Sequence, residues 1–446
     1  MAIATRPGAA AWTAVAMLCL LAVFSYVDRV IISLLAEGIK RTVGLNDVQI
    51  GALSGLAFVL LFVTVSLPLA RYADLGNRRL LIAAGATLWG AMTICSGFAN
   101  SFGGLLVCRL GVGLGEAVLV PAALSMMADL FPVERRAGPT SLFFGASIIG
   151  GASAGAIGAG VLKIADRLQT AYPGGVSGFA DWQIAFMLVG LPALIAGLLF
   201  AVIVREPTRT HDPRAIVHPT VRESLNYLRQ RSRLFGNLFV GVALLQVMLF
   251  GMSLWVTPFL IRTRGFTPAE AGLTVTSTIG IGAVIGSFLT PYVCGRILAR
   301  GAPGAVVPIA MVLGTFSAVF MIPLFVLDSL PWALAAGFVV SLSISGLYTL
   351  PMISAQRLAP IRLRAQMAAV YLMCGNIVGA AAGGLLIPWL GSLFEGPAAI
   401  GYGNIAAAWL VLPVSLFLLA RARAAFVIEL EIVRAAERAA AADRAR

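Results

Sequence analysis

The sequence predicts an all-α membrane protein of twelve transmembrane helices in two six-helix halves, and three observations carry that expectation. The first is composition: 59% of the 446 residues are hydrophobic and only 11% are charged, where soluble globular chains hold roughly 25% charged residues. The second is the grouping of apolar residues into runs of about 20, the length a helix needs to cross roughly 30 Å of hydrocarbon. The third is an internal repeat. Leu130-Phe-Pro-Val-Glu-Arg-Arg136-Ala137 recurs as Leu358-Ala-Pro-Ile-Arg-Leu-Arg364-Ala365, a common offset of 228 residues. Both copies fall at the turn between the fourth and fifth spans of their half. Backbone inside lipid must satisfy its own hydrogen bonds, which leaves helices or a closed barrel. Continuous apolar runs without period-two alternation choose helix.

Twelve spans fall near residues 11–37, 48–70, 80–100, 103–130, 139–163, 183–204, 236–261, 270–295, 304–327, 331–357, 363–390 and 401–421. The first run passes straight through Asp28-Arg29 and continues, which suits a retained helix rather than a cleaved signal. Orientation follows from the Lys/Arg bias. With the N-terminus inside, the cytoplasmic turns hold Arg71, Arg78, Arg79, Arg135, Arg136, Arg296, Arg300, Arg357, Arg362 and Arg364, while the other side holds Lys40, Arg41, Lys163, Arg167, Arg262 and Arg264. Both termini are therefore expected in the cytoplasm. The same placement explains the formal net charge of +13, which lies in loops between apolar runs and does not point to nucleic acid.

The expected organisation is an N-terminal six-helix half (1–204), a cytoplasmic linker (205–235), a C-terminal six-helix half (236–422) and a cytoplasmic amphipathic tail (423–446). Within the linker, Thr220-Val-Arg-Glu223 reads as a capping box opening a short surface helix. In the tail, Phe426, Leu430 and Val433 recur at helical spacing. His211 and His218 read as solvated loop residues. The five cysteines, Cys19, Cys95, Cys108, Cys294 and Cys374, show no metal-type spacing and read as small core residues. No cofactor or metal is expected.

The fourth span, Leu105 to Pro132, carries Arg109 and Glu116 near its middle. Seven residues is almost two helical turns, so both side chains share nearly one face, about 10 Å apart along the axis. The first span carries Asp28 and Arg29. Charges within a bilayer normally face a bundle interior or a watery cavity. Two readings stand: an internal ion-pair lock between helices, or a substrate and proton site. The second half has no ionisable residue deep in a span. Its cavity candidates are neutral: Gln246, Trp255, Thr274, Ser277, Tyr348 and Asn376. Gly111, Gly113 and Gly115 superficially suggest a dinucleotide loop, but no strand precedes them. Close helix packing explains them better, and the same is expected of Gly145, Gly150, Gly151, Gly155, Gly158 and Gly160 in the fifth span.

Six plus six helices related by a parallel repeat is the architecture of the major facilitator fold. That fold implies that the first and fourth helices both line the central cavity, bringing Asp28, Arg29, Arg109 and Glu116 together. Tyr26-Val-Asp28-Arg29 and Arg109-Leu-Gly-Val-Gly-Leu-Gly-Glu116-Ala117 resemble the corresponding motifs of the spinster-like branch of the major facilitator superfamily. Ala128-Asp129-Leu130-Phe131 with Arg135 matches the segment after them. The resemblance implies a secondary transporter, not an enzyme, moving a lysolipid, a sphingoid phosphate or another amphiphilic or anionic molecule by alternating access with proton coupling. It places Asp28, Arg29, Arg109, Glu116 and Tyr26, with Tyr348 and Asn376, at the substrate and proton site. Arg71-Tyr-Ala-Asp74-Leu75-Gly76-Asn77-Arg78-Arg79 resembles the superfamily's cytoplasmic gating motif, with Leu75 where an arginine is usual. It makes Asp74, Arg78 and Arg136 the expected gate. The alternative is a proton-coupled symporter of sugar or aromatic acids, which shares Tyr-x-Asp-Arg and an acidic residue in the fourth helix. Implied partners are the substrate, protons and the lipid bilayer, with the chain a monomer in the inner (plasma) membrane. A receptor or intramembrane enzyme is disfavoured by the lack of a soluble sensor domain and of any nucleophile–base set.

Overall fold

The computed structural model describes residues 8–172, 178–209, 221–300, 303–358 and 363–444, which are helical apart from short turns. Helix α1 is Ala9–Val43. Helix α2 starts at Asp47–Gly51, passes through a π-helical turn at Ala52–Leu56 and continues as Ala57–Leu75. Then follow α3 (Arg78–Ser96), α4 (Phe102–Glu116, resuming as Leu119–Leu130), α5 (Ala137–Ala171) and α6 (Asp181–Ile203). Helix α7 (Val221–Gln230) lies in the sequence-predicted linker. The remainder are α8 (Ser232–Arg264), α9 (Pro268–Val275, a π turn at Thr276–Gly280, then Ile281–Ala299), α10 (Val306–Val326), α11 (Leu330–Leu358), α12 (Arg364–Gly391) and α13 (Ala399–Arg444). Eleven helices among the described residues are long and apolar enough to cross a membrane, and α2 is the twelfth span drawn from the sequence.

Helices α2 and α9 begin alike. Helix α2 is capped by Asn46, whose side chain accepts from Gln49 N at 2.9 Å while Gln49 Oε1 accepts from Asn46 N at 2.9 Å. Helix α9 is capped in the same way by Thr267 and Glu270, with Pro268 at the first helical position. Each box satisfies amide donors that a helix start leaves orphaned, and each is followed within three turns by a π turn.

The chain packs as two compact units, Met1–Ile216 with Val256–Ser277, and Val217–Trp255 with Thr278–Arg446. The end of α8 and the start of α9 thus belong with the first unit, although they follow the linker in sequence. The first unit's core gathers Leu18, Trp89, Met126, Phe143 and Phe200. Val107, Leu198 and Val202, by contrast, are exposed apolar side chains on α4 and α6, as a lipid-facing surface requires.

Close helix crossings set this core. A Cβ on Gly115 would stand 2.5 Å from the Gly85 carbonyl oxygen and 2.8 Å from Trp89 N, so α3 and α4 meet backbone to backbone. The fifth span divides. Gly150, Gly155 and Gly158 are tight crossings, whereas Gly145 and Gly160 face open space, correcting the expectation that all six serve close packing. Overpacking typically costs about 1–3 kcal/mol, so Gly115→Ala is expected to lower the thermal midpoint in detergent by several degrees. Gly145→Ala should leave it unchanged or slightly raised, since only backbone freedom is lost there. A differential scanning fluorimetry trace of each variant decides the point.

In the second unit Gln246 Nε2 donates to Tyr371 Oη at 2.9 Å and Trp255 Nε1 to the Gly383 carbonyl at 3.1 Å. Both residues, which the sequence offers as cavity candidates, are buried in these helix contacts. Helix α7 is tied down by Arg231, whose Nε donates to Glu429 at 2.5 Å and whose guanidinium lies 4.2 Å above the Tyr227 ring. Burial pushes the Tyr227 phenol up to about 12, so it remains neutral. The tail expected as a separate element is continuous with α13, and its Phe426 and Leu430 are buried.

Candidate functional site

Four ionisable side chains meet where α1 and α4 approach, and they sort into two crossed pairs. Arg29 Nε donates to Glu116 Oε2 at 2.6 Å. Arg109 Nη1 donates to Asp28 Oδ2 at 3.3 Å. Neither arginine pairs with the acid of its own helix. The geometry of α1 explains this: Asp28 and Arg29 are adjacent, so their side chains leave the helix about 100° apart and reach different ends of the α4 face.

Three hydroxyls complete the cluster. Ser25 Oγ donates to Glu116 Oε2 at 2.9 Å, Thr93 Oγ1 to Asp28 Oδ1 at 2.8 Å, and Ser96 Oγ accepts from Arg109 Nη2 at 3.2 Å. Two rings stack on the cations: Tyr26 with Arg29 and Phe186 of α6 with Arg109, each about 5.0 Å from guanidinium carbon to centroid. Both acids and Arg109 are buried, while the Arg29 side chain keeps 27% of its surface exposed. Both Asp28 oxygens are partnered. Glu116 differs, since its Oε1 is buried with no hydrogen-bond partner.

A narrow cavity of about 20 Å³ is lined by Asp28, Arg29, Ile32, Leu53, Ser54, Arg109 and Val112. Leu53 and Ser54 come from the π turn of α2. Such turns are frequent at functional sites. Glu116 does not line the cavity and is reached from it through Arg29.

The residues that the sequence offers as a gate take partners it did not announce. Arg78, 1% exposed as a side chain, donates to Asp129 at the end of α4 and through Nε to Glu206 Oε1 at 2.8 Å. It also donates to the Ser125 and Pro207 carbonyls, each at 3.1 Å. Glu206 Oε2 accepts from Arg79 N at 2.7 Å, placing an anion at the α3 N-terminus, where the helix dipole favours it. Arg136 Nε donates to the Phe131 carbonyl of its own turn at 2.9 Å. Arg78 and Arg136 thus have separate partners. The side chains of Asp74 and Tyr348 lie outside the described residues. Asn376 is half-buried on α12.

A family model described as the Major Facilitator Superfamily matches residues 18–384. An MFS-type efflux pump of Mycolicibacterium smegmatis is 30% identical over 290 residues, covering 65% of this chain and 64% of the pump. Human protein spinster homolog 1 is 26% identical over 263 residues, covering 57% of this chain and 47% of the homolog. The chain therefore aligns with less than two thirds of the length of either relative. The crystal structure of a bacterial homolog of the human lysosomal transporter Spinster, inward-facing and unoccupied, shares the fold. It superposes with a TM-score of 0.79 at 22% identity over 96% of this chain and 98% of its own.

Proposed function

This chain belongs to the Major Facilitator Superfamily and is a spinster-like membrane transporter, not an enzyme, and we propose that it moves an anionic amphiphile of the lysolipid or sphingoid-phosphate kind, coupled to protons. It would work by alternating access in the inner membrane, as a monomer with both termini cytoplasmic.

The observation that carries this reading is the double engagement of Arg29, which lines the cavity and also holds the buried Glu116 behind it. Guanidinium groups favour phosphate and carboxylate oxygens. An anionic headgroup entering the cavity competes with Glu116 for Arg29. As Arg29 turns to it, Glu116 is left buried without its counter-charge, a state relieved by taking up a proton. The unpartnered Oε1 accepts that proton without disturbing the Ser25 bond on Oε2. Substrate anion and proton then bind cooperatively, each raising the affinity for the other by the same factor. The Asp28–Arg109 pair, with both acid oxygens held, keeps the floor of the site rigid.

As it stands the cavity has room for about one water, so a headgroup would enter only as the site widens, with the acyl chain lying elsewhere. The same guanidinium also suits a second reading, a compact sugar acid or other organic anion. Uptake into proteoliposomes, with and without an acidic outside bath, separates the two. A single-chain lysophospholipid should enter faster with the gradient, and a six-carbon sugar acid should not. Gradient-driven uptake of the sugar acid alone would replace the first reading by the second. Gradient-insensitive uptake of either would remove proton coupling.

A further inference from the structure

Ser25 was not singled out by its sequence position, yet its hydroxyl, like that of Thr93, crosses to a carboxylate on another helix. Ser54, Thr64, Ser147 and Ser153 each return their hydroxyl to the carbonyl four residues back, the usual arrangement for serine or threonine inside a helix. The buried Ser25 instead donates across to α4, to Glu116 Oε2 at 2.9 Å. It lies one turn before Arg29 on the same face of α1, and both donate to that one oxygen.

We propose that Ser25 is a positioning residue that sets the pH at which Glu116 takes up its proton. The inference rests on the reading of Glu116 as the proton site. When a substrate anion draws Arg29 away, Ser25 is the donor that remains on the carboxylate. A hydrogen bond donated to a carboxylate favours its charged form. A hydroxyl is weaker than a guanidinium and carries no charge, so it tempers the loss of Arg29 without cancelling it. The midpoint of proton uptake then lies below that of a carboxylate with no donor left. The hydroxyl rotates freely enough to serve either protonation state, and it keeps Oε2 fixed while Oε1 gains or loses the proton. The charges acting on Glu116 are Arg29 and Asp28 of α1, with Arg109 further along its own helix. Helices α2 and α3 bring the hydroxyls of Ser54, Thr93 and Ser96 to the cluster, and no charged side chain among the described residues.

The test needs no substrate. Purified protein in lipid nanodiscs is titrated with acid while infrared difference spectra follow the C=O stretch of protonated carboxyl groups. Glu116→Gln should delete one component of that band. If it deletes none, the proton-site reading fails and Ser25 has nothing to tune. With the component identified, Ser25→Ala should keep it but move its midpoint up by about one pH unit, tenfold in proton affinity. Ser25→Thr, which restores the hydroxyl, should return the midpoint to the wild-type value. An unmoved midpoint in Ser25→Ala, with the Glu116 component present, overturns the proposal and leaves the proton site standing. A Ser25→Thr midpoint equal to that of Ser25→Ala also overturns it, by assigning the shift to packing.

Discussion

Glu116→Gln is expected to abolish accumulation driven by a pH gradient while leaving substrate exchange at equilibrium intact. Glutamine keeps the size of glutamate, and its amide oxygen still accepts from Ser25 and Arg29 at the positions now held by Oε2. What it removes is the charge and the proton that comes and goes with it. Arg29, no longer held by a carboxylate, is freer to meet a substrate anion, so binding should survive or tighten and should lose its pH dependence. Counterflow and gradient-driven uptake, measured on the same vesicles, report the two properties separately. If Glu116→Gln and Asp28→Asn both leave gradient-driven uptake unchanged, the cluster is an ion-pair lock between α1 and α4 and the coupling site lies elsewhere.

Arg109→Ala should have the larger effect on the protein itself. Read from sequence, Arg109 looks like a second gripping residue whose loss would weaken anionic substrates selectively. The structure gives it a heavier structural load. It is 5% exposed, stacks on Phe186, bonds Ser96 and neutralises Asp28, which is 2% exposed. Removing one partner of a buried ion pair strands the other and costs about 3–5 kcal/mol. The variant should therefore melt well below the wild type in detergent and express poorly. Adding Asp28→Asn to the same chain should recover part of that loss, because the stranded charge is gone and Thr93 still has an oxygen to bond. A double variant no more stable than Arg109→Ala alone would mean that Arg109 contributes by packing on Phe186, not by charge.

The sequence made the scaffold readable because its signals are coarse and repeated. Apolar runs of bilayer length give the spans whatever their neighbours, and the family match over residues 18–384 agrees with the fold they imply. The membership of the site was partly readable too, since a charge inside an apolar span has few places to go. Pairing was not. The spacing of Arg109 and Glu116 puts both on one face without naming their partners, and only the approach of α1 decides that each arginine takes the acid of the other helix. The hydroxyls of Ser25, Thr93 and Ser96 carried no signal, because such residues in helices usually satisfy themselves on their own backbone. Glu206 was missed for another reason. It sits just past the sixth span between Arg205 and Pro207, where an acid among basic residues reads as solvent-facing, and only the docking of that segment on α3 turns it into a partner for Arg78. Two neutral candidates of the second half show the limit of polarity as a signal. Gln246 and Trp255 are polar enough to suggest a cavity, but helix crossings absorb them.

The two π turns have a consequence for phase. A π turn closes its hydrogen bond over one residue more than an α turn, and one residue is about 100° of rotation. Everything in α2 after Leu56 is therefore swung by roughly that angle from where an unbroken helix would carry it, and everything in α9 after Gly280 likewise. The carbonyls of Ala73 and Gly76, which accept from Arg209 at 3.3 and 2.6 Å, owe their heading to a turn near the opposite end of the same helix. Gly282 and Gly286, which let α9 lie backbone to backbone against Phe338 and Leu342 of α11, are brought into line by the other. Each turn works as a vernier: a single surplus residue, placed early, sets the azimuth of a helix end some 30 Å away.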